Sequence, residues 1–276
     1  RMEKSIWVQV PFRAPLTDYR NYRIIFNSLG RFKNHSNPNN AFMTWKLIFN
    51  EHFANLDNWV FDIGSGEQGL WGNHEKEFYT SDPKNCFVRD NQLYIISRKE
   101  RKGDCEYTSA RLKTLGKFTF KYGYVEASAK LPTGNGSWPA IWMMGVNHSW
   151  PRCGEIDIME HLGRDPDVIH HAIHSADHVC DPRNTFMENL PGATKSFHQY
   201  GLLWQENSIE FYVDRKPVGK IEKSENYSLT EDWPFDDYFY LLINCAVGGD
   251  WAGEIVDDNL PFEYIIDYVK IWQEHV

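Results

Sequence analysis

The sequence has no run of about 20 apolar residues, the length a helix needs to cross a bilayer, so a chain outside the membrane is expected. Positive charge is in short supply. The 29 Lys and Arg face 38 Asp and Glu, a formal net charge of −9. That balance excludes nucleic acid as a partner and disfavours an acidic polysaccharide, since either polyanion would be repelled. Cysteine is sparse, at five residues, and does not settle the compartment. Cys86 and Cys105 flank one expected strand and are candidates to pair. Cys153 and Cys180 flank the most acidic strand and a His-rich segment, and are a second candidate pair. Cys245, inside the apolar run Tyr240–Val247, reads as a free core thiol. Internal repeats, low-complexity tracts, interdomain linkers and long segments of helical period are all missing.

What remains is short β-like runs cut by turn signals. They include Trp45–Phe49, Leu93–Ser97, Gly123–Leu131, Ala140–Met144, Glu155–Glu160, Ile169–Ser175, Gln199–Trp204, Ser208–Val213, Tyr238–Ala246 and Tyr264–Gln273. Gly and Pro punctuate them, as in Leu131-Pro132-Thr133-Gly134 and Gly248-Gly249. The pattern predicts an all-β, antiparallel sandwich in one large domain over residues 45–276. Residues 1–44 are Arg-rich and alternate weakly, apart from Ile6–Val10, and are expected to form an added strand or wrapping arm. Sequons at Asn34, Asn135, Asn147 and Asn226 point to a secreted, extracellular chain, with no signal peptide visible at Arg1-Met2.

The most informative stretch is Glu155-Ile156-Asp157-Ile158-Met159-Glu160, where acids alternate with apolar side chains. On a strand, Glu155 and Asp157 share one face while Ile156 and Ile158 fill the core behind it. Glu160 is out of phase and would point into the core, where an unpaired carboxylate is costly. A β-bulge at Ile158-Met159 would return it to the acidic face. Glu155 and Glu160 would then lie about four strand steps apart, roughly 13 Å between Cα atoms at about 3.3 Å per step. Side chains leaning together close most of that gap. Retaining glycoside hydrolysis needs a nucleophile and an acid roughly 5–5.5 Å apart. Crowding also raises at least one carboxyl pKa. A flat acid row wraps calcium poorly. His170 and His174 share a face, but no Cys pair has zinc spacing. The 11 Trp exceed what a core needs and suggest sugar-stacking platforms, with Trp138 and Trp142 on one face.

The segment Gly154–Gly163, GEIDIMEHLG, resembles the catalytic signature of glycoside hydrolase family 16, in the bulged ExDxxE form of its laminarinase-like branch. Further matching segments are Trp71–Glu75, Phe78–Thr80, Tyr107–Arg111, Tyr122–Ala127, Gly136–Gly145, Leu242–Gly249 and Asp267–Ile271. The resemblance spans roughly residues 45–273. It implies a β-jelly-roll with a concave carbohydrate-binding cleft and retaining endo-hydrolysis of β-1,3-glucan. In that frame Glu155 is the nucleophile, Asp157 its electrostatic partner and Glu160 the acid/base. Trp138 and Trp142 line the subsites around the scissile bond, and His174 faces the catalytic strand. Asn73, Arg111 and Trp251 contact more distant sugars. No cofactor is required. A structural calcium at Asp267 is left open, though Glu51-His52-Phe53 departs from the family's Asp-Glu-Phe. Glu77 stands where the family often has Gln, a change that alters one cleft hydrogen bond. The expected partner is a polysaccharide, bound by a monomer. The competing readings are a non-catalytic β-glucan recognition protein, a galactan-cleaving relative and a transglycosylase.

Overall fold

Alternation decides the architecture. In the strand Phe239–Val247, Leu241, Ile243, Cys245 and Val247 enter the main core. Tyr240, Leu242, Asn244 and Ala246 therefore face the other way. The same two-sided division runs through Ser137–Gly145, where Ile141 and Met143 face the core. The computed structural model describes residues 44–66, 70–227 and 233–275. The arm expected over residues 1–44 lies outside them, apart from Thr44, which begins the strand Thr44–Glu51.

Two antiparallel sheets enclose the core. The seven-stranded sheet runs Thr185–Asn189, Val168–His174, Glu155–His161, Ser137–Gly145, Phe239–Val247, Arg111–Lys113, Val60–Asp62. The eight-stranded sheet runs Lys216–Glu222, Ser208–Val213, His198–Gln205, Gly123–Lys130, Phe262–His275, Gln92–Ser97, Cys86–Arg89, and Thr44–Glu51 also pairs with Phe262–His275. That last strand carries Gly123–Lys130 on one flank. On the other it carries Gln92–Ser97 and Thr44–Glu51 end to end. A short parallel pair, Glu77–Tyr79 with Tyr107–Ser109, packs beside the seven-stranded sheet. Ile156, Ile158, Ile173 and Phe239 from one sheet meet Val125, Leu202, Phe211 and Ile266 from the other. The fold is a β-jelly-roll sandwich, as expected.

Several expectations are corrected. Neither cysteine pair forms; all five are free thiols. Cys86 sits on a strand and packs into the main core, whereas Cys105 lies in a turn and stays out of that cluster. Short strands escaped the pattern: Val60–Asp62, Arg111–Lys113, Thr185–Asn189 and Lys216–Glu222 are brief or polar, and one contains Pro217. At Asp267, the residue left open for calcium, the side chain makes a strand-to-strand contact. Its carboxylate accepts a hydrogen bond from Gln92 at 3.2 Å. Glu51 turns inward to the Phe53 N–H, Asn58 and Trp59. Among the described residues, the one grouping of three acid, His or Cys ligands lies elsewhere.

The connection into the acidic strand is tightly packed at Gly145. A Cβ built there would stand 2.0 Å from the Cys153 carbonyl oxygen. Gly145→Ala should therefore cost about 1–3 kcal/mol by overpacking. Urea unfolding checks this, through a lower midpoint at unchanged m-value.

Candidate active site

The acidic strand breaks register where expected. Asp157 pairs with Ala172 and Glu160 with His170, so three steps on one strand meet two on the other. The opposite flank shifts between Asp157 and Met159. Ile158 and Met159 both enter the core, which uses up the extra residue and returns Glu160 to the face of Glu155 and Asp157. A bulge leaves backbone groups outside the ladder. Here the Ile158 carbonyl accepts a hydrogen bond from His171 Nδ1 at 2.7 Å. Burial pushes the His171 pKa down to about 4, so the ring is neutral and carries its proton on Nδ1. His171 faces the core beside Phe211, while His170 and His174 face the acids.

Each acid has its own donor. The Trp138 indole donates to Glu160 Oε1 at 2.9 Å. Trp138 is 8% exposed and its indole holds the acid in place. Trp251 packs edge-on against both Trp138 and His170, with ring centroids 5.1 and 4.9 Å away. His174 Nε2 stands 3.1 Å from Asp157 Oδ2. Against burial, which lowers it, the hydrogen bond to Asp157 raises the His174 pKa well above its ordinary value, and the Cys180 N–H stands 3.0 Å from Nδ1, which leaves the Nε2 proton directed at Asp157. Atoms of Glu155, Asp157 and His174 lie within 4.8 Å of one another. Trp150, not anticipated from the sequence, hydrogen-bonds Glu155. It sits in the loop before the strand, where no periodicity marks it.

The other side of the row is framed by a cation. Arg111 lies between the Trp71 and Trp142 rings, 4.8 Å from each centroid, and its Nε stands 3.1 Å from Asp62. Trp142 is paired across the strands with Asp157, and its indole donates to Asn244 at 2.7 Å. Asn73 accepts the Asp250 N–H through its carbonyl at 2.8 Å, which ties down the turn carrying Trp251. The structure thus places Asp157, Glu160, Trp138, Trp142, His174 and Trp251 on or against the acid row. Arg111 and Asn73 act from its flank.

Burial, then the Asp157 charge, pushes Glu155 up to about 8, against His174, Trp150 and Arg111. Glu160 is raised well above its ordinary value by the same two causes, against the Trp138 hydrogen bond. Burial and crowding thus disfavour the charged form of both glutamates on this strand face. Such a row, flanked by indoles on a two-sheet sandwich, is the site of a glycoside hydrolase.

Comparison with known proteins narrows the class. Residues 73–270 match the profile of glycosyl hydrolases family 16. A beta-glucanase from Rhodothermus marinus is 35% identical, over 83% of this chain and 85% of its own length. Glucan endo-1,3-beta-glucosidase A1 from Niallia circulans is 31% identical over 84% of this chain, which spans only 38% of that longer protein. The solved catalytic domain of an endo-1,3-beta-glucanase (laminarinase) from Thermotoga petrophila RKU-1 superposes with a TM-score of 0.80 at 37% identity, covering 85% of this chain and 100% of that one. The chain belongs to glycosyl hydrolases family 16.

Two outcomes follow. His171→Phe removes the donor to the bulge carbonyl and leaves a buried acceptor unpaired, at a cost of about 1–3 kcal/mol. We expect kcat to fall about 10-fold or more with KM little changed, and His171→Asn, which can present an N–H at the same place, to recover part of it. The second concerns stability. Native Glu155 holds its proton up to about 8, while the unfolded chain releases it near 4.5. The unfolded state then binds fewer protons, so stability falls as pH rises through that window. Glu155→Gln should match the parent near pH 4 and exceed it at pH 8, by roughly 3–8 °C in Tm.

Proposed function

We propose that this chain cleaves internal bonds of β-1,3-glucan with retention of configuration, by double displacement at Glu155 and Glu160. The observation that carries the reading is the bulged row that puts Glu155, Asp157 and Glu160 on one face. Relatives and neighbours named as beta-glucanase and laminarinase support the glucan. In the first step Glu155, which burial keeps protonated up to about 8 and which must first release that proton to solvent, attacks the anomeric carbon as the carboxylate, and Glu160 gives its proton to the departing glycosidic oxygen. The product is a glycosyl ester on Glu155. Glu160, now ionised, takes a proton from water, which attacks the same carbon and releases Glu155. Asp157 and His174 tune the charge beside the nucleophile. Every step is carried by a carboxyl of this chain, so the reading calls for no cofactor.

A glucan-recognition protein without turnover would have no use for both glutamates, and both are in place with donors aimed at them. Secretion is part of the proposal and rests on the sequons. Among the described residues, no helix is long and apolar enough to cross a membrane.

Glu155→Gln and Glu160→Gln should each lower kcat on laminarin by roughly 10³-fold or more while circular dichroism stays unchanged, since an amide can neither attack nor donate this proton. Proton NMR of early products should show the β-anomer first. Near-parental turnover in either variant, or initial α-anomer, would overturn the assignment.

A further inference from the structure

Glu75 and Glu77 form a second pair of buried acids that the acid row does not use. They are 7% and 0% exposed, on and just before the strand Glu77–Tyr79, and their carboxyls hydrogen-bond each other. Two buried carboxylates in contact cannot both be ionised, so one proton lies between them. The surroundings decide which acid carries it. Glu77 Oε2 accepts the Val247 N–H at 2.7 Å, while Oε1 is buried with no donor directed at it. An O–H at Oε1, pointing to Glu75, satisfies that atom. Glu75 is built as the acceptor. Burial raises the Glu75 pKa, but the hydrogen bond from Glu77, the Arg111 charge, the Tyr79 hydroxyl, which donates to Oε2 at 3.3 Å, and Asn73 all work toward its ionised form.

From Glu75 the donors run in one direction. Tyr79 gives its proton to Glu75, so its oxygen is left to accept from Asn244 Nδ2, at 3.0 Å. That orients the Asn244 amide, and Asn244 Oδ1 accepts the Trp142 indole N–H at 2.7 Å. Trp142 lies beside Asp157 across the strand pair. A proton on Glu77 therefore sets the sense of a hydrogen-bond chain that ends on a cleft indole.

We propose that Glu77 and Glu75 are positioning residues that share one proton and, through Tyr79 and Asn244, hold Trp142 in the orientation that receives glucan. The glucan part rests on the function proposed above. The other groups facing the pair are Arg111, Tyr79 and the Cys245 and Cys105 thiols. Burial pushes Cys245 up to about 12 and raises Tyr79 and Cys105, so these three stay neutral while Glu77 titrates. Lys76 is exposed, and His74 pairs with Asp250 at the surface. Burial and the Glu75 charge hold the Glu77 proton well above the ordinary carboxyl range. Above that point the two carboxylates repel, Tyr79 is pulled from Asn244, and Trp142 loses its anchor.

The test separates the hydrogen-bond chain from the glucan. Glu77→Gln keeps an N–H toward Glu75 and an oxygen toward Val247 but cannot ionise. The Trp142 indole ¹H–¹⁵N signal, assigned with Trp142→Phe, is followed from pH 6 to 9.5 without ligand. It should move in the parent and stay fixed in Glu77→Gln; identical behaviour in the two would overturn the proposal. Calorimetry with laminarihexaose in a Glu155→Gln background then reads affinity. With Glu77 in place, binding should weaken about fivefold or more over that range, and with Glu77→Gln added, no more than about twofold. Tyr79→Phe, which cuts the chain while leaving both carboxyls in place, should weaken binding at pH 6 by a similar factor and leave it insensitive to pH over that range. Tenfold worse binding at pH 6 on adding Glu77→Gln would refute proton sharing. Absence of binding by the background variant at either pH, with the indole result intact, would refute the glucan reading alone.

Discussion

The odd spacing of three residues from Asp157 to Glu160 governs the rest of this molecule. Strand side chains alternate, so two acids three residues apart belong on opposite faces unless the backbone absorbs one residue. The sandwich absorbs it by sending Ile158 and Met159 together into the core. Hydrophobic burial on one side of the sheet thus drives the placement of a carboxyl on the other. The distortion is held on both flanks, by pairing with Val168–His174 and with Ser137–Gly145, and the Ile158 carbonyl it strands is capped by a buried imidazole. The geometry of the acids is inherited from the core.

The face so formed works by withholding water. Burial is the largest influence on both Glu155 and Glu160, and neighbouring charge adds to it. What distinguishes their roles is the donor aimed at each: Trp138 at Glu160, Trp150 at Glu155, and His174 beside Asp157. These donors come from three different segments, so the arrangement exists only when the sandwich has closed. The Glu75–Glu77 pair follows the same physics with a different outcome. There the two acids satisfy each other, and what is transmitted is orientation along a chain of amide, hydroxyl and indole.

Much of this was legible in the sequence, for a physical reason. The bulge could be read because it corrects a violation: a charged side chain at a core position in an otherwise regular strand. The alternation that separated His170 and His174 from His171 was equally direct. Partners across sequence distance were not legible. Glu77 stood out as an unusual residue, but nothing local reveals that Glu75 would be its proton-sharing neighbour or Asn244 the link to Trp142. The hydrogen bond from Trp138 to Glu160 was not legible, because an indole's partner cannot be seen from its own strand. The cysteine pairs failed because flanking a strand says nothing about facing another thiol. Val60–Asp62 and Arg111–Lys113 were missed because three residues carry too little period to detect, and Thr185–Asn189 and Lys216–Glu222 because they are polar, the latter with Pro217.

The strand Phe262–His275 has a consequence for how the chain reaches this state. It is paired along one flank with Thr44–Glu51, from the other extreme of the described chain, and along the other with Gly123–Lys130. The middle of the eight-stranded sheet is thus made of residues that follow all of their partner strands in the chain. Until it arrives, Gly123–Lys130 and Gln92–Ser97 present open edges with no strand between them, and such edges recruit other chains. Sheet closure by so distant a pairing carries a large loop-entropy cost and is intrinsically slow. Phe262–His275 is therefore the closing stave of this sheet, and the sheet is complete only when that strand is paired on both flanks.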